Sequence, residues 1–188
     1  RPRPPKKAAL DSPEGVLCVI LSPGPGRPQR DDDVGMCREI LADASLPVFG
    51  VCLGYQALAV AHGLPVSHSP YGPTHGQVQP VNHTGAHPMF EGVPQGFLAT
   101  RYHSLAVCHT DGASPSFPES MLKLAWTDDG VIQAIAHRSL PLWGVQFHPE
   151  SVCTEHGATL VRNFHQMALS LCPPSLPTPL PPAGGEAP

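Results

Sequence analysis

The sequence has few charged residues and no long apolar run. Charged side chains make up 14% of the 188 residues and the formal net charge is −4, so no extended basic surface for nucleic acid is predicted. No apolar segment approaches the roughly 18 residues that a membrane span needs, and the amino-terminal segment lacks the pattern of a secretory signal. We therefore expect no nucleic-acid or membrane partner, and a cytoplasmic location, or a plastid one in a photosynthetic eukaryote.

Patterns typical of metal sites and disulfide frameworks are also missing. The six cysteines are scattered without a CxxC pair, and the eleven histidines form no HxH or HExxH motif. We predict no metal site, no cofactor and no disulfide staples, and this cysteine usage favours a reducing compartment.

The two ends of the chain differ in composition from its middle. Residues 1–13 are rich in Pro, Lys and Arg and are predicted to be disordered or non-native, whereas residues 172–188 are predicted to form a Pro-rich linker or tail. Residues 14–171 are then predicted to form one domain with a single core. The chain begins at Arg1 and its first predicted strand leads directly into a glycine-rich loop, so we expect a fragment.

The first half of the predicted domain alternates strands with helices. Apolar runs at 16–21 and 47–51 predict strands buried on both faces, as in a parallel sheet. Helices are predicted from the Asp31-Asp32-Asp33 cap to about Ala44 and over 54–62. This alternation indicates an α/β fold with an open, mostly parallel sheet flanked by helices.

The second half has a different pattern. Residues 64–117 carry short apolar segments broken by Gly, Pro, Asn and His, which predict short strands and loops. Further strands are predicted at 121–126, 131–136 and 142–147. An amphipathic helix is predicted over about 155–171, with an apolar face made of four residues: Leu160, Phe164, Met167 and Leu171.

Cys52 lies in Gly50-Val-Cys-Leu-Gly54, between a predicted strand and a predicted helix. Glycine on each side permits the sharp turn of a nucleophile elbow, and the helix N-terminus is expected to favour the thiolate. A buried cysteine in an ordinary strand-to-helix turn is the alternative that this pentapeptide leaves open.

A second segment supplies a base and an orienting carboxylate. His148 and Glu150 are two residues apart in Gly144-Val-Gln-Phe-His-Pro-Glu-Ser151 and project to the same side of an extended backbone. Glu150 can hold one imidazole nitrogen while the other faces a thiol, so Cys52, His148 and Glu150 are predicted to form a catalytic triad.

The loop Ser22-Pro-Gly-Pro-Gly26 follows the first predicted strand. Its glycines can turn backbone N–H groups inward, as the oxyanion of an acyl-transfer intermediate requires. Gly24 and Leu53, the residue after the cysteine, are the candidate donors. Phosphate binding is the alternative, but the loop lacks the Lys-Ser/Thr of a P-loop and the spacing of a dinucleotide fingerprint.

Four segments, SPGPG, GVCLGYQAL, RYHSL and GVQFHPES, in this order and spacing, resemble the triad-type class I glutamine amidotransferases. The resemblance covers about residues 16–170 and implies a flavodoxin-like α/β fold. It further implies that Cys52 attacks the side-chain amide of L-glutamine, that His148 shuttles protons and that Glu150 orients His148. Seven residues are implied to bind glutamine: Gly24, Pro25, Gly26, Leu53, Gln56, Ser104 and Leu105.

Within that family, SPGPG and RYHSL resemble the glutaminases that serve chorismate-aminating synthases. The resemblance therefore implies a partner, either a chorismate-binding synthase subunit or a fused synthase domain. ALAVAHG and the Pro-rich tail resemble the fused aminodeoxychorismate synthases of eukaryotes, so this resemblance implies aminodeoxychorismate synthase, with anthranilate synthase as the alternative. His75-Gly76 matches a loop that these glutaminases share, but Gln77 stands where members often carry a basic residue, so no partner contact is assigned there.

The chain departs from the family pattern at its beginning. It has no Asp-Asn-x-Asp-Ser-Phe segment, so the first strand-helix unit is expected to be missing and the sheet to be left with an exposed edge. This departure leaves a truncated, non-catalytic, partner-binding paralogue as a second hypothesis. A cysteine peptidase is a third, which the Glu two residues after the His fits poorly.

Overall fold

The computed structural model of the protein describes residues 16–171. The predictions for residues 1–13 and 172–188 concern residues outside this range. The expectation that a first strand-helix unit is missing concerns the region before residue 16 and also lies outside the described residues. In chain order the elements are β1 (Val19–Leu21), α1 (Asp31–Val34), α2 (Cys37–Asp43), β2 (Val48–Val51), α3 (Leu53–Ala61), β3 (Val66–His68), β4 (Thr74–His83), β5 (Phe97–His103), β6 (Leu105–Val107), β7 (Met121–Trp126), β8 (Ile132–His137), β9 (Leu142–Val145) and α4 (Gly157–Leu171).

A seven-stranded sheet in the order β1-β2-β9-β8-β7-β4-β5 organises the fold. The expected parallel arrangement holds for β1, β2 and β9, but the remaining four pairings are antiparallel, so the sheet is mixed rather than mostly parallel. The tight turn at 128–130 explains part of this difference, since a short connection can join only antiparallel strands. Strands β3 and β6 form a separate antiparallel pair.

Helices cover both faces of the sheet. Alternate residues of β2 and β9 face opposite ways, so Val48 and Leu142 pack with α2 and α3. Phe49 and Trp143 pack on the other face with Phe164 of α4. The predicted α/β class is therefore confirmed, and the carboxyl ends of the parallel strands meet at one edge.

Two helices differ from their predicted form. The helix expected over 31–44 is divided at Gly35, whose φ of 54° is left-handed and ends α1. In α4, Ala168 is buried while the expected core residue Leu171 is 57% exposed. Leu171 is the last described residue of the helix.

Two findings concern the part of the chain from 16 to 171 as a whole. None of its helices has both the length and the apolar character needed to cross a membrane. Nor do its His, Cys, Asp and Glu side chains form any group of three or more that could hold a metal ion.

Candidate active site

Cys52 occupies a strained elbow between β2 and α3. Its φ of 51° and ψ of −99° belong to a region that residues other than glycine rarely adopt. The turn is held on both sides: the Cys52 N–H donates to the Val145 carbonyl at 2.9 Å, and the Cys52 carbonyl accepts from the Gln56 N–H at 3.0 Å. The structure thus has the sharp strand-to-helix turn that the pentapeptide predicts.

Glycines on both sides of Cys52 allow α3 to approach the sheet. A Cβ at Gly50 would lie 2.6 Å from the Gly54 carbonyl, and a Cβ at Gly54 would lie 2.4 Å from the Leu21 carbonyl oxygen. Real side chains do not tolerate such contacts with backbone atoms. These two glycines therefore set the close packing from which the elbow follows.

The Cys52 thiol is buried and hydrogen-bonded. Its Sγ donates to the Tyr102 carbonyl at 3.9 Å and accepts from Gln146 Nε2 at 3.7 Å. Burial raises the pKa of Cys52 to about 11; the Leu53 backbone and Gln146 oppose the rise, and the charge of Glu150 adds to it. The Leu53 backbone, at the N-terminus of α3, favours the thiolate as expected, but desolvation outweighs it and the pKa of Cys52 lies above its usual value.

Alkylation of Cys52 should report this raised pKa directly. Because the thiolate is the reacting species, the rate with iodoacetamide should rise about tenfold per pH unit between about pH 7 and pH 10, without a plateau. Peptide mass spectrometry separates Cys52 from the exposed Cys153, which serves as the internal control. A plateau for Cys52 near neutral pH would contradict the expectation and indicate that His148 already holds the proton.

His148 and Glu150 make the predicted contact. His148 Nδ1 donates to Glu150 Oε1 at 2.6 Å, with His148 mostly buried and Glu150 exposed. The backbone of His148 is fixed to β5 and the following loop: its N–H donates to the Thr100 carbonyl at 3.0 Å, and its carbonyl accepts from Thr154 Oγ1 at 2.6 Å. The imidazole therefore has a defined orientation before any substrate binds.

The other imidazole nitrogen, Nε2, is buried and has no hydrogen-bond partner among the described residues. A buried nitrogen of this kind is costly unless another group completes its hydrogen bonding. The edge of the His148 ring meets the ring of Tyr102, whose carbonyl accepts the Cys52 thiol. Because β2 and β9 are parallel and in register at Val51 and Val145, Cys52 and His148 leave the sheet at the same edge.

No hydrogen bond joins Cys52 to His148 within residues 16–171. Of the three predicted catalytic residues, His148 and Glu150 are in direct contact. Tyr102 connects Cys52 to this pair, because its carbonyl accepts from the Cys52 thiol and its ring contacts the His148 ring. Catalytic contacts that are long without substrate often shorten when substrate binds, and the triad of Cys52, His148 and Glu150 stays a prediction.

The predicted oxyanion donors lie side by side. A Cβ at Gly24 would come 3.1 Å from Leu53 Cδ2, so the exposed loop at 24–26 packs against the first residue of α3. Gly26 has a φ of 110°, and a Cβ there would lie 2.5 Å from the Asp33 carboxyl carbon, so that position requires glycine. The roles of Gly24 and Leu53 as donors stay predictions.

The remaining predicted glutamine contacts lie on α3, in the RYHSL segment and in the glycine-rich loop. Gln56 is buried, and its Nε2 donates to the Leu105 carbonyl at 3.1 Å, which joins α3 to the RYHSL segment. Ser104 Oγ is hydrogen-bonded to His75 Nε2 at 3.1 Å, at the other side of the same segment. Pro25 lies in the exposed loop between Gly24 and Gly26.

Gln146 was missed by the sequence reasoning. Its side chain donates to Cys52 Sγ, and its Oε1 accepts from Gln56 Nε2 at 3.1 Å, so it links the thiol to a predicted substrate residue. Its position two residues before His148 was the available indication, since i and i+2 share a face of an extended strand.

Two cavities bear on the location of the site. One, of about 360 Å³, lies between the glycine-rich loop and α3 and is lined by Gly24, Pro25 and Leu53 among others. A larger one, of about 690 Å³, lies at the opposite end of β2 and β9, against Pro47 and Pro141. Ligands of open α/β sheets bind at the carboxyl ends of the parallel strands, which places the larger cavity away from the expected site. The smaller cavity is lined by the predicted oxyanion donors but not by Cys52, His148 or Glu150.

A buried thiol at a strained elbow and an imidazole held by a carboxylate, at the same edge of an α/β sheet, are the groups that thiol-dependent acyl transfer at a carbonyl carbon uses. Sequence comparison narrows that class of reaction to one family. The chain matches the family model of the class-I glutamine amidotransferases over residues 5–167, and it therefore belongs to the class-I glutamine amidotransferase family. The prediction of a glutamine amidotransferase is confirmed, and this match gives no support to the cysteine-peptidase alternative.

Two relatives illustrate the similarity. The chain is 48% identical to an aminodeoxychorismate synthase of Streptomyces griseus over 149 residues, which are 79% of this chain and 19% of that protein. It is 43% identical to an anthranilate synthase component 2 of Methanothermobacter marburgensis over 150 residues, which are 79% of this chain and 72% of the relative. The chain thus spans about a fifth of the first relative and most of the second.

Solved structures support the fold. A Thermoplasma acidophilum protein described as part of a GMP synthase superposes with a TM-score of 0.70 at 22% identity, over 84% of this chain and 75% of that one. A glutamine amidotransferase of Thermotoga maritima superposes with a TM-score of 0.58 at 19% identity, over 82% of this chain and 63% of that one. At these identities the likeness concerns the fold alone.

Proposed function

We propose that this chain hydrolyses L-glutamine through Cys52, His148 and Glu150 and supplies the ammonia to a chorismate-binding synthase. The observation that carries the proposal is the Cys52 elbow at the same sheet edge as the His148–Glu150 pair, whose contact is 2.6 Å. Neither feature requires a metal or a cofactor for amide hydrolysis, because the nucleophile, the base and the orienting carboxylate are all side chains.

The chemistry follows from the positions of these groups. Glutamine enters beside the Gly24 loop, and Cys52 Sγ attacks its side-chain carbonyl carbon while His148 Nε2 takes the thiol proton. Backbone N–H groups of Gly24 and Leu53 stabilise the oxyanion. His148 then gives this proton to the amide nitrogen, the C–N bond breaks, ammonia leaves and a γ-glutamyl thioester remains. Water attacks the thioester with His148 acting again as base, the C–S bond breaks, glutamate leaves and Cys52 regains its proton from His148.

The raised pKa of Cys52 means that the thiol must lose its proton before or during the attack on glutamine. With a pKa of about 11, the thiol stays protonated at neutral pH, so attack needs proton transfer to His148 as glutamine or a partner closes the site. We infer that the isolated chain has low activity and that the partner accelerates it by shortening the distance from Cys52 to His148.

We propose aminodeoxychorismate synthase as the assembly that this chain serves, with anthranilate synthase as the alternative. The 48% identity to the Streptomyces griseus protein supports the first, and the 72% coverage of the anthranilate synthase component 2 supports the second. The partner is accordingly a chorismate-binding synthase, either fused to this chain or separate. We further propose a cytoplasmic location; a chloroplastic rice relative, 43% identical, makes a plastid the alternative.

The two assemblies are distinguished by reconstitution. The chain is mixed with either the synthase half of an aminodeoxychorismate synthase or anthranilate synthase component 1, and amination of chorismate is measured with glutamine or with ammonium as nitrogen source. We expect glutamine-dependent amination with the aminodeoxychorismate synthase half only. Each synthase supplied with ammonium serves as its own control for intact chorismate chemistry.

Two other outcomes of this experiment would support the alternative hypotheses. Glutamine-dependent product with anthranilate synthase alone would support the tryptophan branch. Stable complex formation without glutamine hydrolysis, by a chain whose Cys52 is intact, would overturn the enzymatic proposal in favour of a non-catalytic partner-binding role.

A further inference from the structure

Arg101 is the largest fully buried side chain of the described residues, at 1% exposure. Burying a guanidinium is costly unless charge and hydrogen bonds compensate it. Burial lowers the pKa of Arg101 and the charge of Asp129 opposes that shift. A buried arginine in a small domain therefore needs a reason other than simple core packing.

The compensation comes from three side chains on three different segments. Arg101 Nη1 donates to Asp129 Oδ2 at 3.3 Å and to Gln79 Oε1 of β4, and Arg101 Nε donates to His103 Nε2 at 3.0 Å. Its other terminal nitrogen, Nη2, is buried and has no partner among residues 16–171. Arg101 thus joins β4, β5 and the β7–β8 turn.

Asp129 is held as firmly as the arginine it contacts. Its Oδ1 accepts from Thr127 Oγ1 at 2.5 Å and from the Val131 N–H at 3.1 Å, which leaves Oδ2 for Arg101. Burial alone would raise the pKa of Asp129, but these hydrogen bonds and the charge of Arg101 outweigh it, so the pKa lies below its usual value. The carboxylate is therefore charged and fixed in position at neutral pH.

The residues that follow Arg101 are the ones that reach the site. Tyr102 offers its carbonyl to Cys52 Sγ, and Leu105 offers its carbonyl to Gln56. Between them, Ser104 is a predicted glutamine contact. Burial and the Arg101 charge lower the pKa of His103 to about 3, so His103 is neutral and accepts the Arg101 hydrogen bond through Nε2.

We propose that Arg101 is a positioning residue for glutamine: anchored by Asp129, it fixes the 102–105 segment against Cys52 and Gln56. This inference rests on the glutaminase function proposed above. Arg101 acts through the backbone of the segment and does not itself contact the reacting atoms. Small misplacements of such contacts have large effects on binding and rate.

The test compares Arg101→Met, Arg101→Lys and Asp129→Asn with the unmodified full chain, each assayed with its synthase partner. Arg101→Met keeps the length of the side chain and removes the charge and the donors. We expect its KM for glutamine to rise about tenfold while kcat per folded molecule changes less than about threefold. Arg101→Lys and Asp129→Asn should give intermediate increases in KM.

Asp128→Asn is the matched control. Asp128 is the neighbouring residue, is exposed and accepts a hydrogen bond from Asn82 rather than from Arg101. This control should keep the KM of the unmodified chain, which shows that loss of a carboxylate from this turn is not by itself sufficient.

Labelling of Cys52 separates positioning from folding. A diazoketone analogue of glutamine needs the glutamine contacts, whereas iodoacetamide needs only to reach Cys52 Sγ in its thiolate form. In Arg101→Met we expect the analogue to label Cys52 about tenfold more slowly and iodoacetamide to label it at nearly the normal rate. A purely structural role would lower the folded fraction and leave KM and the ratio of the two rates unchanged, and that result would overturn the inference.

The inference and the function on which it rests fail differently. If the unmodified chain with its partner neither hydrolyses glutamine nor reacts with the analogue, the proposed function is wrong. If it does both and Arg101→Met retains the normal KM, only the positioning role is wrong.

Discussion

Replacement of Cys52 by alanine is expected to abolish glutamine-dependent amination, with a loss of at least about 10³-fold relative to the unmodified chain. The only other route to ammonia would be direct attack by water, which lacks the covalent intermediate that divides the reaction into two easier steps. Amination supported by added ammonium should be unchanged, since that reaction belongs to the synthase. The measurement is product formation with glutamine and with ammonium, side by side.

Cys153→Ala is the matched control, because Cys153 is an exposed cysteine and has no proposed role. It should retain both activities. If Cys52→Ala kept more than a few per cent of the glutamine-dependent rate, the assignment of Cys52 as nucleophile would be wrong, whatever the family of the chain. Thermal unfolding of both variants should show that each is folded.

The parts of the site that sequence predicted are those encoded within short segments. Gly50, Cys52 and Gly54 lie in one pentapeptide, and His148 and Glu150 lie two residues apart, so their local geometry follows from backbone rules alone. The α/β class also followed from local patterns, since alternating buried strands and helices have few alternatives.

The parts that sequence did not predict depend on strand order. The antiparallel half of the sheet brings β5 against β4 and the β7–β8 turn close to β5, so Arg101 meets Asp129 across 28 positions of sequence. Gln146 likewise reaches Cys52 from 94 residues away. The raised pKa of Cys52 was also not predicted from sequence. Its cause is burial, which depends on the assembled sheet, whereas the position of Cys52 before a helix is evident from the local sequence.

Gly54→Ala is expected to lower the free energy of unfolding by about 3 kcal/mol and to remove most glutaminase activity. A Cβ at Gly54 would lie 2.4 Å from the carbonyl oxygen of Leu21 and 2.6 Å from its Cβ. Both obstacles belong to β1, a strand paired with β2, so neither can rotate away as a flexible side chain could. The substitution must therefore push α3 from the sheet and move Cys52 with it.

A matched control separates this clash from the general cost of replacing glycine. Gly72 has a φ of 77°, and a Cβ there would have no heavy atom within 4 Å, so Gly72→Ala should cost only the backbone strain of about 1 kcal/mol. Urea unfolding measures both free energies, and glutamine-dependent amination measures both activities. Equal losses for the two variants would contradict the argument, since the elbow would then tolerate a methyl group where β1 and α3 meet. A larger loss of activity than of folded protein in Gly54→Ala would support the predicted displacement of Cys52.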